Sequence, residues 1–334
     1  MQKDFHYYCI AVLARAAGFK KKEALTIAYA SQYVDDATES EPIKVGELIF
    51  EPVRTAHIGL EAFQWSVQKR IFIPFHFIPP VPLRKPGDTF ITAPDSKFAR
   101  DILTNALNEA NPSFRLCRIG IALHTYADTW AHQKFSGREN DENDVEMIRR
   151  KKNGKWDRLI WENMYLDFLP EIGHAEADHF PDYPFLEWKY KRKHFNDHVT
   201  RDNKEEFLKA ARSIYDRLVN TDGAKKKYLN WNDIKPQIQN LIHNAEEDLD
   251  KRCDRWQREF KGMFKPASFN YDKYEWRNDA LRPSRIKNIK WDKLKQSEFG
   301  KLKFNMSTGF YDSMWVQFHR AALKQRHYVL ENLL

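Results

Sequence analysis

The chain has 334 residues, of which 42% are hydrophobic and 31% are charged. This composition is typical of a globular protein with a sizeable core and excludes an intrinsically disordered chain. Charged residues interrupt every long apolar run, including the one near the N-terminus, so we expect neither a transmembrane helix nor a secretory signal. The three cysteines show no CxxC spacing, which favours a reducing compartment and predicts a cytoplasmic protein.

The net charge of +8 is distributed unevenly along the chain. Residues 181–334 carry a net charge of +10, whereas residues 1–180 carry −2. We expect a metal-binding helical core at 1–185 and a basic helical extension at 186–334, packed on the core as one compact unit. A surface that binds a polyanion would divide the charge in this way, and so would a basic surface without a partner.

Apolar periodicity predicts helices in most of the chain. In chain order, the predicted elements are helices at 5–17 and 22–36, a short hairpin within 43–50, a helix around His57, helices at 96–110 and 118–137, and helices at 204–219, 231–262 and 308–333. The prolines of residues 71–95 exclude a long helix, so we expect an ordered loop there in which His76 packs between phenylalanines. Residues 138–155 are highly charged and are expected to form a solvated excursion, with a lid as the alternative. Strand signals are sparse, and the expected fold class is therefore all-α.

The helix predicted at 118–137 carries a polar stripe. His124, Asp128 and His132 follow one another at intervals of four residues, and a pitch of about 3.6 residues per turn places them on one face. Apolar and small residues frame that face, and burying such a stripe without a cation is unfavourable. A metal site explains the stripe, but a buried histidine bonded to a carboxylate explains it as well.

More histidines and carboxylates lie near predicted helix ends. Asp35 and Asp36 end the second helix, where a negative charge opposes the helix dipole unless a cation compensates it. A second His-x-x-x-Asp pair, His174 and Asp178, follows the charged excursion. The ordered set of candidate metal ligands is His6, Asp35, His57, His124, Asp128, His132, His174 and Asp178, with Asp4, Asp36 and His179 as further candidates. Zn²⁺ takes such mixed nitrogen and oxygen ligands, and a carboxylate can bridge two cations.

This succession of residues resembles the zinc-dependent phospholipase C superfamily, which includes single-strand nucleases with the same helical fold and a three-zinc site. The phrases DFHYY, IAYASQYVDDAT, HTYADTWAHQKFSG and GHAEADHFPDYP also resemble an uncharacterised bacterial family. The resemblance covers roughly residues 1–185. It implies a phospholipase C-like or nuclease-like helical core that holds two or three ions of zinc or of another divalent transition metal.

The resemblance also implies which residues hold each cation. By position, one zinc is expected on Asp35, His57, His124 and Asp128, a second on His132, His174 and Asp178, and a third on His6 and a shared Asp128. Asp4 would replace the N-terminal residue that binds the third zinc in the secreted enzymes. The interval from Asp128 to His132 is shorter than in those enzymes, and the gap from His132 to His174 is longer.

The expected function is a zinc-dependent phosphodiesterase that hydrolyses a phosphate ester through a metal-activated water, with Asp35 and Asp128 as catalytic residues. The substrate is either a nucleic acid or nucleotide, or a phospholipid. Residues 282–303 hold eight Lys and Arg with interleaved aromatics, which is typical of a contact for nucleic acid or anionic lipid and also of an ordinary surface. The alternative function is a non-catalytic, metal-stabilised helical binding protein. An HD-type phosphohydrolase needs an adjacent His-Asp dipeptide, which the sequence lacks.

Overall fold

The computed structural model describes residues 1–39, 41–45, 47–56, 60–83, 89–158, 172–221, 224, 226–283, 303–306 and 309–333. The α-helices in these residues are α1 Ile10–Ala17, α2 Lys21–Asp36, α3 Trp65–Val67, α4 Ile73–Phe75, α5 Lys97–Leu107, α6 Arg115–Ala131, α7 Asn203–Val219, α8 Trp231–His243, α9 Leu249–Phe264, α10 Glu275–Ala280 and α11 Met314–Leu333. The strands are β1 Ile43–Val45, β2 Leu48–Phe50, β3 Val145–Lys152, β4 Lys155–Arg158, β5 Glu187–Arg192, β6 Asp197–Asp202, β7 Leu281–Pro283 and β8 Lys303–Met306. Two segments, Asp4–Cys9 and Gln68–Phe72, are π-helical.

The strands of the described residues form two four-stranded sheets, so the chain is mixed α/β and the all-α prediction is wrong. The first sheet has the order β2-β1-β8-β7 and contains the predicted hairpin, in which β1 and β2 are antiparallel. The second sheet, β4-β3-β5-β6, is antiparallel throughout. It includes half of residues 138–155, where we expected a solvated excursion. Trp188 and Tyr190 of β5 face inward and are buried, while Glu187, Lys189 and Lys191, which alternate with them, face the other side and are only partly buried.

The main core is built around the pair α2 and α6, with α1, α5, α7 and α11 packed against them. Gly120 lies where α6 crosses α2. A Cβ built at this position would come within 2.7 Å of the Cβ of Ala30, so a larger residue has no room there. This close approach brings the end of α2, with Asp35, beside His124 and Asp128 of α6.

The other helix predictions had mixed outcomes. Ser96 caps α5 by accepting a hydrogen bond from the Ala99 N–H at 3.2 Å, as the pattern predicted. The single helix predicted at 231–262 is wrong, because Asp248 starts a new helix by accepting hydrogen bonds from two N–H groups of α9. The helix expected around His57 spans residues 54–65, of which 57–59 lie outside the described residues. In the described part, residues 54–56 are not helical and Leu60–Phe63 form a short 3-10 helix. Most of the basic segment 282–303 also lies outside the described residues.

Helices from the second half of the chain pack directly on those of the first half. Helix α7 contacts α1 and α6, and α11 contacts α6. A smaller hydrophobic cluster lies under the second sheet, where Phe77 and Phe135 meet Trp188 and its neighbours. In the part of the chain that the structure describes, no helix combines the length and apolar character needed to cross a membrane.

Candidate metal centre

Five histidines and three aspartates converge within the described residues. We call them the His/Asp cluster, and its members are His6, His76, His124, His132, His174, Asp35, Asp128 and Asp182. They come from the N-terminal π-helix, the end of α2, the residue after α4, helix α6 with its C-terminal cap, and the turns of residues 172–182. Six of these residues are buried, whereas the side chains of His174 and Asp35 are 18% and 33% exposed.

Asp128 lies at the centre of the cluster. Its Oδ1 is 3.1 Å from Nε2 of His6, and its Oδ2 is 3.2 Å from Nε2 of His124 and 3.3 Å from Nδ1 of His76. His124 and Asp128 approach each other because they are one turn apart on α6. The two oxygens of Asp128 therefore face different imidazoles, as those of a bridging carboxylate do.

One group of donors surrounds a common point between α2 and α6. Nδ1 of His76 and Nε2 of His124 are 3.2 Å apart, and Oδ1 of Asp35 lies 3.9 Å from the first and 3.6 Å from the second. Oδ2 of Asp128 also lies close to the two imidazoles. Tetrahedral ligands about 2.0–2.1 Å from a zinc ion lie about 3.3 Å from one another, so the three donors of Asp35, His76 and His124 are close enough together to share one cation.

A second group lies beyond Asp128, on the side of residues 172–182. Nε2 of His132 is 3.5 Å from Oδ1 of Asp182, and Nε2 of His174 is 3.6 Å from Oδ2. One carboxylate thus faces two imidazoles, and the three side chains can share one cation.

A third group consists of His6, His124 and Asp128. The rings of His6 and His124 stack with their centres 3.8 Å apart. Although Nε2 of His6 is close to Asp128, neither ring nitrogen of His6 has a hydrogen bond of acceptable geometry to any described residue. A buried imidazole without such a bond is unfavourable, and a cation between these donors would satisfy it.

Backbone carbonyl groups fix the orientation of three imidazoles. Nε2 of His76 is 2.9 Å from the carbonyl oxygen of Thr55, Nδ1 of His132 is 2.9 Å from that of His76, and Nδ1 of His174 is 2.8 Å from that of Asp178. In each ring the other nitrogen then faces the cluster. Metal-binding histidines are typically held in this way.

The nitrogen of Met1 also enters the cluster, 2.8 Å from Oδ1 of Asp128 and 2.9 Å from Oδ1 of Asp182. Burial alone would lower the pKa of this amino group, but the two carboxylates raise it to about 11. Its positive charge therefore compensates the two most buried carboxylates of the cluster.

The electrostatics favour the metal-binding protonation state at four members of the cluster, Asp128, Asp182, His6 and His174. Two others shift the opposite way: burial raises the pKa of Asp35, and the carboxylates of Asp128 and Asp35 raise the pKa of His76 against the effect of burial. Burial opposes the ionisation of Asp128 and Asp182, yet the neighbouring imidazoles and the Met1 amino group hold the pKa of both well below its ordinary value. Burial holds the pKa of His6 well below 6.5 and lowers the pKa of His174 to about 4. Ionised carboxylates and neutral imidazoles are the forms that bind a metal.

Comparison with known families assigns the chain. A family model matches residues 1–333. The chain belongs to DUF6765, a family of unknown function. No curated protein and no solved structure matches it. Because the function of DUF6765 is unknown, membership does not indicate an activity. The resemblance to the phospholipase C superfamily stays a prediction.

Two members of the cluster in this DUF6765 chain were not among the predicted ligands. His76, which we expected to pack between phenylalanines, lies where the resemblance implied His57, and His57 itself is outside the described residues. Asp182 lies beside His174 in place of Asp178. Of these two residues, only Asp182 could have been identified from the sequence. The phrase GHAEADHFPDYP contains two aspartates shortly after His174, and either could have been its partner.

The structure does not bring Asp178 or His179 into the cluster. Residues Ala175–Ala177 form a 3-10 turn, and Asp178 follows with a φ of 47°. Its side chain is therefore directed outward and is 56% exposed, with its Oδ1 3.6 Å from Nε2 of the exposed His179. Only the carbonyl group of Asp178 serves the cluster, by orienting His174.

The further candidates Asp4 and Asp36 have other partners. Asp4 is buried and forms an ion pair with Arg252 at 2.7 Å. Asp36 accepts hydrogen bonds from the hydroxyl of Tyr271 at 2.7 Å and from the amide of Gln32 at 3.2 Å. Both carboxylates therefore support residues next to the cluster without facing its centre.

A cleft of about 800 Å³ opens on one side of the cluster. Three members of this neighbourhood, Met1, Asp35 and Asp182, line the cleft. Two lysines, Lys3 and Lys273, and two further aspartates, Asp36 and Asp272, line it as well. The cluster is thus buried on most sides and accessible at Asp35. Catalytic metal sites generally keep an open position, whereas structural metal sites are closed.

Proposed function

We propose that the chain is a zinc-dependent phosphodiesterase that hydrolyses a phosphate ester in the cleft beside Asp35. One observation carries this proposal: three groups of histidine and aspartate donors share Asp128 or lie next to it, and the cluster they form opens into a cleft of substrate size. Adjacent cations that share a carboxylate are typical of enzymes that act on phosphate esters.

The distances between the donor atoms indicate which residues would hold each cation. Zinc, or another divalent transition metal, would be held by Asp35, His76, His124 and Asp128 in one group, by His132, His174 and Asp182 in the next, and by His6 and Asp128 in the third. When bound, such cations lower the pKa of a coordinated water to about 7 and neutralise charge on the phosphoryl oxygens.

The protein side chains then have distinct roles. Asp35 directs Oδ1 towards His76 and His124, while its Oδ2 is 3.5 Å from the amide of Gln32. Because Asp35 lines the cleft and is the most exposed carboxylate of the cluster, it is positioned to orient the attacking water and to accept its proton at Oδ2. Asp128 is buried and fixes the imidazoles, so its contribution is to the geometry of the site. The cleft is lined by Lys3, which pairs with Asp250, and Lys273, and also by Asp36 and Asp272, so both signs of charge lie where a substrate would enter.

The relation to the phospholipase C superfamily is part of the same proposal. Replacing His57 by His76 and Asp178 by Asp182 keeps the type of each ligand that the resemblance implies. The π-helix Asp4–Cys9, helix α2 and helix α6 with its C-terminal cap carry five of these eight residues. The second sheet, which the resemblance does not imply, packs behind His132 and His174 through Phe77 and Phe135.

Metal analysis combined with a general diester substrate tests the proposal. Protein purified without chelator should contain two or three equivalents of zinc or another transition metal and should hydrolyse bis(p-nitrophenyl) phosphate. Asp35→Asn should lower kcat by about 100-fold or more. Asp36→Asn is the matched control, because Asp36 is adjacent in sequence but bonded to Tyr271, and it should stay close to wild type. Less than one equivalent of metal in the wild-type protein would refute the proposal.

The alternative is a metal-stabilised binding protein without turnover. The nearly complete burial of His6, His124 and Asp128 favours it, because closed sites are typical of structural metals. It predicts that metal raises the melting temperature while the diester, a single-stranded oligonucleotide and anionic phospholipid vesicles all remain intact. Among active outcomes, preferential cleavage of the oligonucleotide or of the lipid would decide between the two substrate classes. Contact of either with residues 282–303 remains a prediction.

A further inference from the structure

Arg252 of α9 is a buried cation in the half of the chain to which the sequence assigned no role. It is 2% exposed, and all three of its guanidinium nitrogens donate hydrogen bonds. Nε donates to Oδ2 of Asp4 at 2.7 Å, Nη2 donates to Oε1 of Gln2, and Nη1 donates to the carbonyl groups of Glu246 at 2.8 Å and Glu247 at 3.0 Å. One planar side chain thus ties the start of the chain to the turn before α9.

The residues that Arg252 holds are next to the metal-cluster residue His6. Asp4 begins the π-helix Asp4–Cys9, and His6 is in its first turn. A π-helix is rare and is usually found where surrounding contacts impose it. The ion pair between Asp4 and Arg252, with a second pair between Lys3 and Asp250 at 3.0 Å, anchors this segment on α9.

Arg252 also contacts the segment that supplies Asp182. Its guanidinium carbon lies 5.7 Å from the centre of the Tyr183 ring and 6.0 Å from that of the Phe185 ring, within the range of a cation–π contact. Tyr183 directly follows Asp182. The same side chain therefore lies between the segment that carries His6 and the segment that carries Asp182.

We propose that Arg252 is a positioning residue that fixes the segments of His6 and Asp182 relative to each other and so sets the cation occupancy at this end of the cluster. The inference rests on the proposed function, since it concerns the same cations. Metal ligands tolerate displacements of only about 0.2 Å, so even a small shift of the anchored segment disrupts the geometry around His6. The group of Asp35, His76 and His124 is held by other elements and keeps its cation.

The charge and the shape of Arg252 are both needed. Lysine keeps the charge but cannot donate in one plane to Asp4, Gln2 and the two carbonyl groups at the same time. Removing the guanidinium leaves the Asp4 carboxylate buried without its cationic partner, which is strongly destabilising. The tests therefore include Asp4→Asn/Arg252→Met, which removes both charges together, in case Arg252→Met alone does not fold.

The experiment compares metal content and cobalt spectra of full-length variants. Wild type, Arg252→Met, Arg252→Lys, Asp4→Asn/Arg252→Met and the control Arg255→Met are purified without chelator, checked for folding by circular dichroism and analysed for metal equivalents. Arg255 is on the same helix, but it is part-exposed and pairs only with residues 244 and 246 in the described chain. The cobalt-substituted forms report ligand geometry, which a loss of stability alone does not change.

The folded Arg252 variants should lose about one metal equivalent, show an altered cobalt spectrum and have a kcat lowered by about 10-fold or more with little change in KM. Arg252→Lys should not restore these properties, and Arg255→Met should match wild type. A folded Arg252→Met or double variant with a full metal complement and a wild-type spectrum would overturn the inference while leaving the proposed function intact. Wild-type protein without metal would overturn both.

Discussion

The His/Asp cluster is built from a helical part and a loop part, which we call its two walls. Both walls contain the spacing His-x-x-x-Asp, but the spacing brings the two side chains together only in the helical wall. The helical wall consists of Asp35, His124 and Asp128 on α2 and α6, and the loop wall consists of His174 and Asp182 in residues 172–182. Each wall contains a His-x-x-x-Asp pair. On α6 the pair meets at 3.2 Å, whereas in the loop wall Asp178 is directed outward and Asp182 takes its place.

The difference follows from backbone conformation. A spacing of four residues brings two side chains together only where the α-helix is continuous. In the loop wall, the 3-10 turn Ala175–Ala177 has a different pitch, and the positive φ of Asp178 then reverses the direction of the chain. A ligand motif is therefore only as reliable as the helix that carries it.

The largest expected effect comes from substituting the two aspartates of residues 172–182, Asp182 and Asp178, one at a time. Asp182→Asn removes the carboxylate between His132 and His174, and should cost about one metal equivalent and lower phosphodiester hydrolysis by about 100-fold. Asp178→Asn is the matched control, because it alters only an exposed side chain and should remain near wild type. Metal analysis and steady-state kinetics measure both. Equal losses in the two variants would place Asp178 in the site after all.

A smaller effect is expected from separating the two helices of the helical wall. Gly120→Ala inserts a methyl group between α6 and α2 and should lower the free energy of unfolding by about 1–3 kcal/mol. Gly262→Ala on α9 is the control. A Cβ built there meets no atom of the described residues within 4 Å, so it should be neutral or should stabilise by up to about 1 kcal/mol through helix propensity. Urea denaturation gives both values, and an unchanged Gly120→Ala would contradict the tight packing of this wall.

The smallest effect concerns the pH dependence of the loop wall. The pKa of His174 is lowered by burial to about 4, below its ordinary value of 6.5. Between these values the unfolded chain binds a proton that the folded chain does not bind, so stability is full above pH 6.5 and falls as the pH drops towards 4. The slope is up to about 1.4 kcal/mol per pH unit for this one group.

His174→Gln should remove that contribution. Urea denaturation of chelator-treated protein at about pH 7 and about pH 5 should show a loss on acidification that is about 2 kcal/mol greater for wild type than for the variant. Equal losses would mean that the imidazole is not kept neutral in the fold.

The helical part of the site could be predicted from the sequence because its information is local. The periodicity of α2 and α6 gives the helices, and one-turn spacing gives the contact between His124 and Asp128. The second sheet has a local signal too, since Trp188 and Tyr190 alternate with charged residues in β5, but the charge of the region obscured it. One face of that sheet is exposed, so its strands carry charge without being loops.

The remaining features depend on partners far along the chain. His76 follows the short helix α4, and no other candidate ligand lies near it at helical spacing. Only the tertiary fold brings it to Asp128. Asp4 and Asp36 look like ligands because they precede His6 and follow Asp35. Their actual partners, Arg252 and Tyr271, are more than 230 positions away, and no local pattern indicates such pairs.

The contact between Arg252 and the start of the chain has a consequence for the order of biosynthesis. His6 leaves the ribosome before Asp182, and Arg252, which contacts both of their segments, follows 70 residues after Asp182. A nascent chain that has not yet reached Arg252 therefore contains every donor of the cluster but lacks the contact that ties these two segments together. Under the proposed function, the cation at this end of the cluster would be bound tightly only after α9 has been made and has folded against the start of the chain.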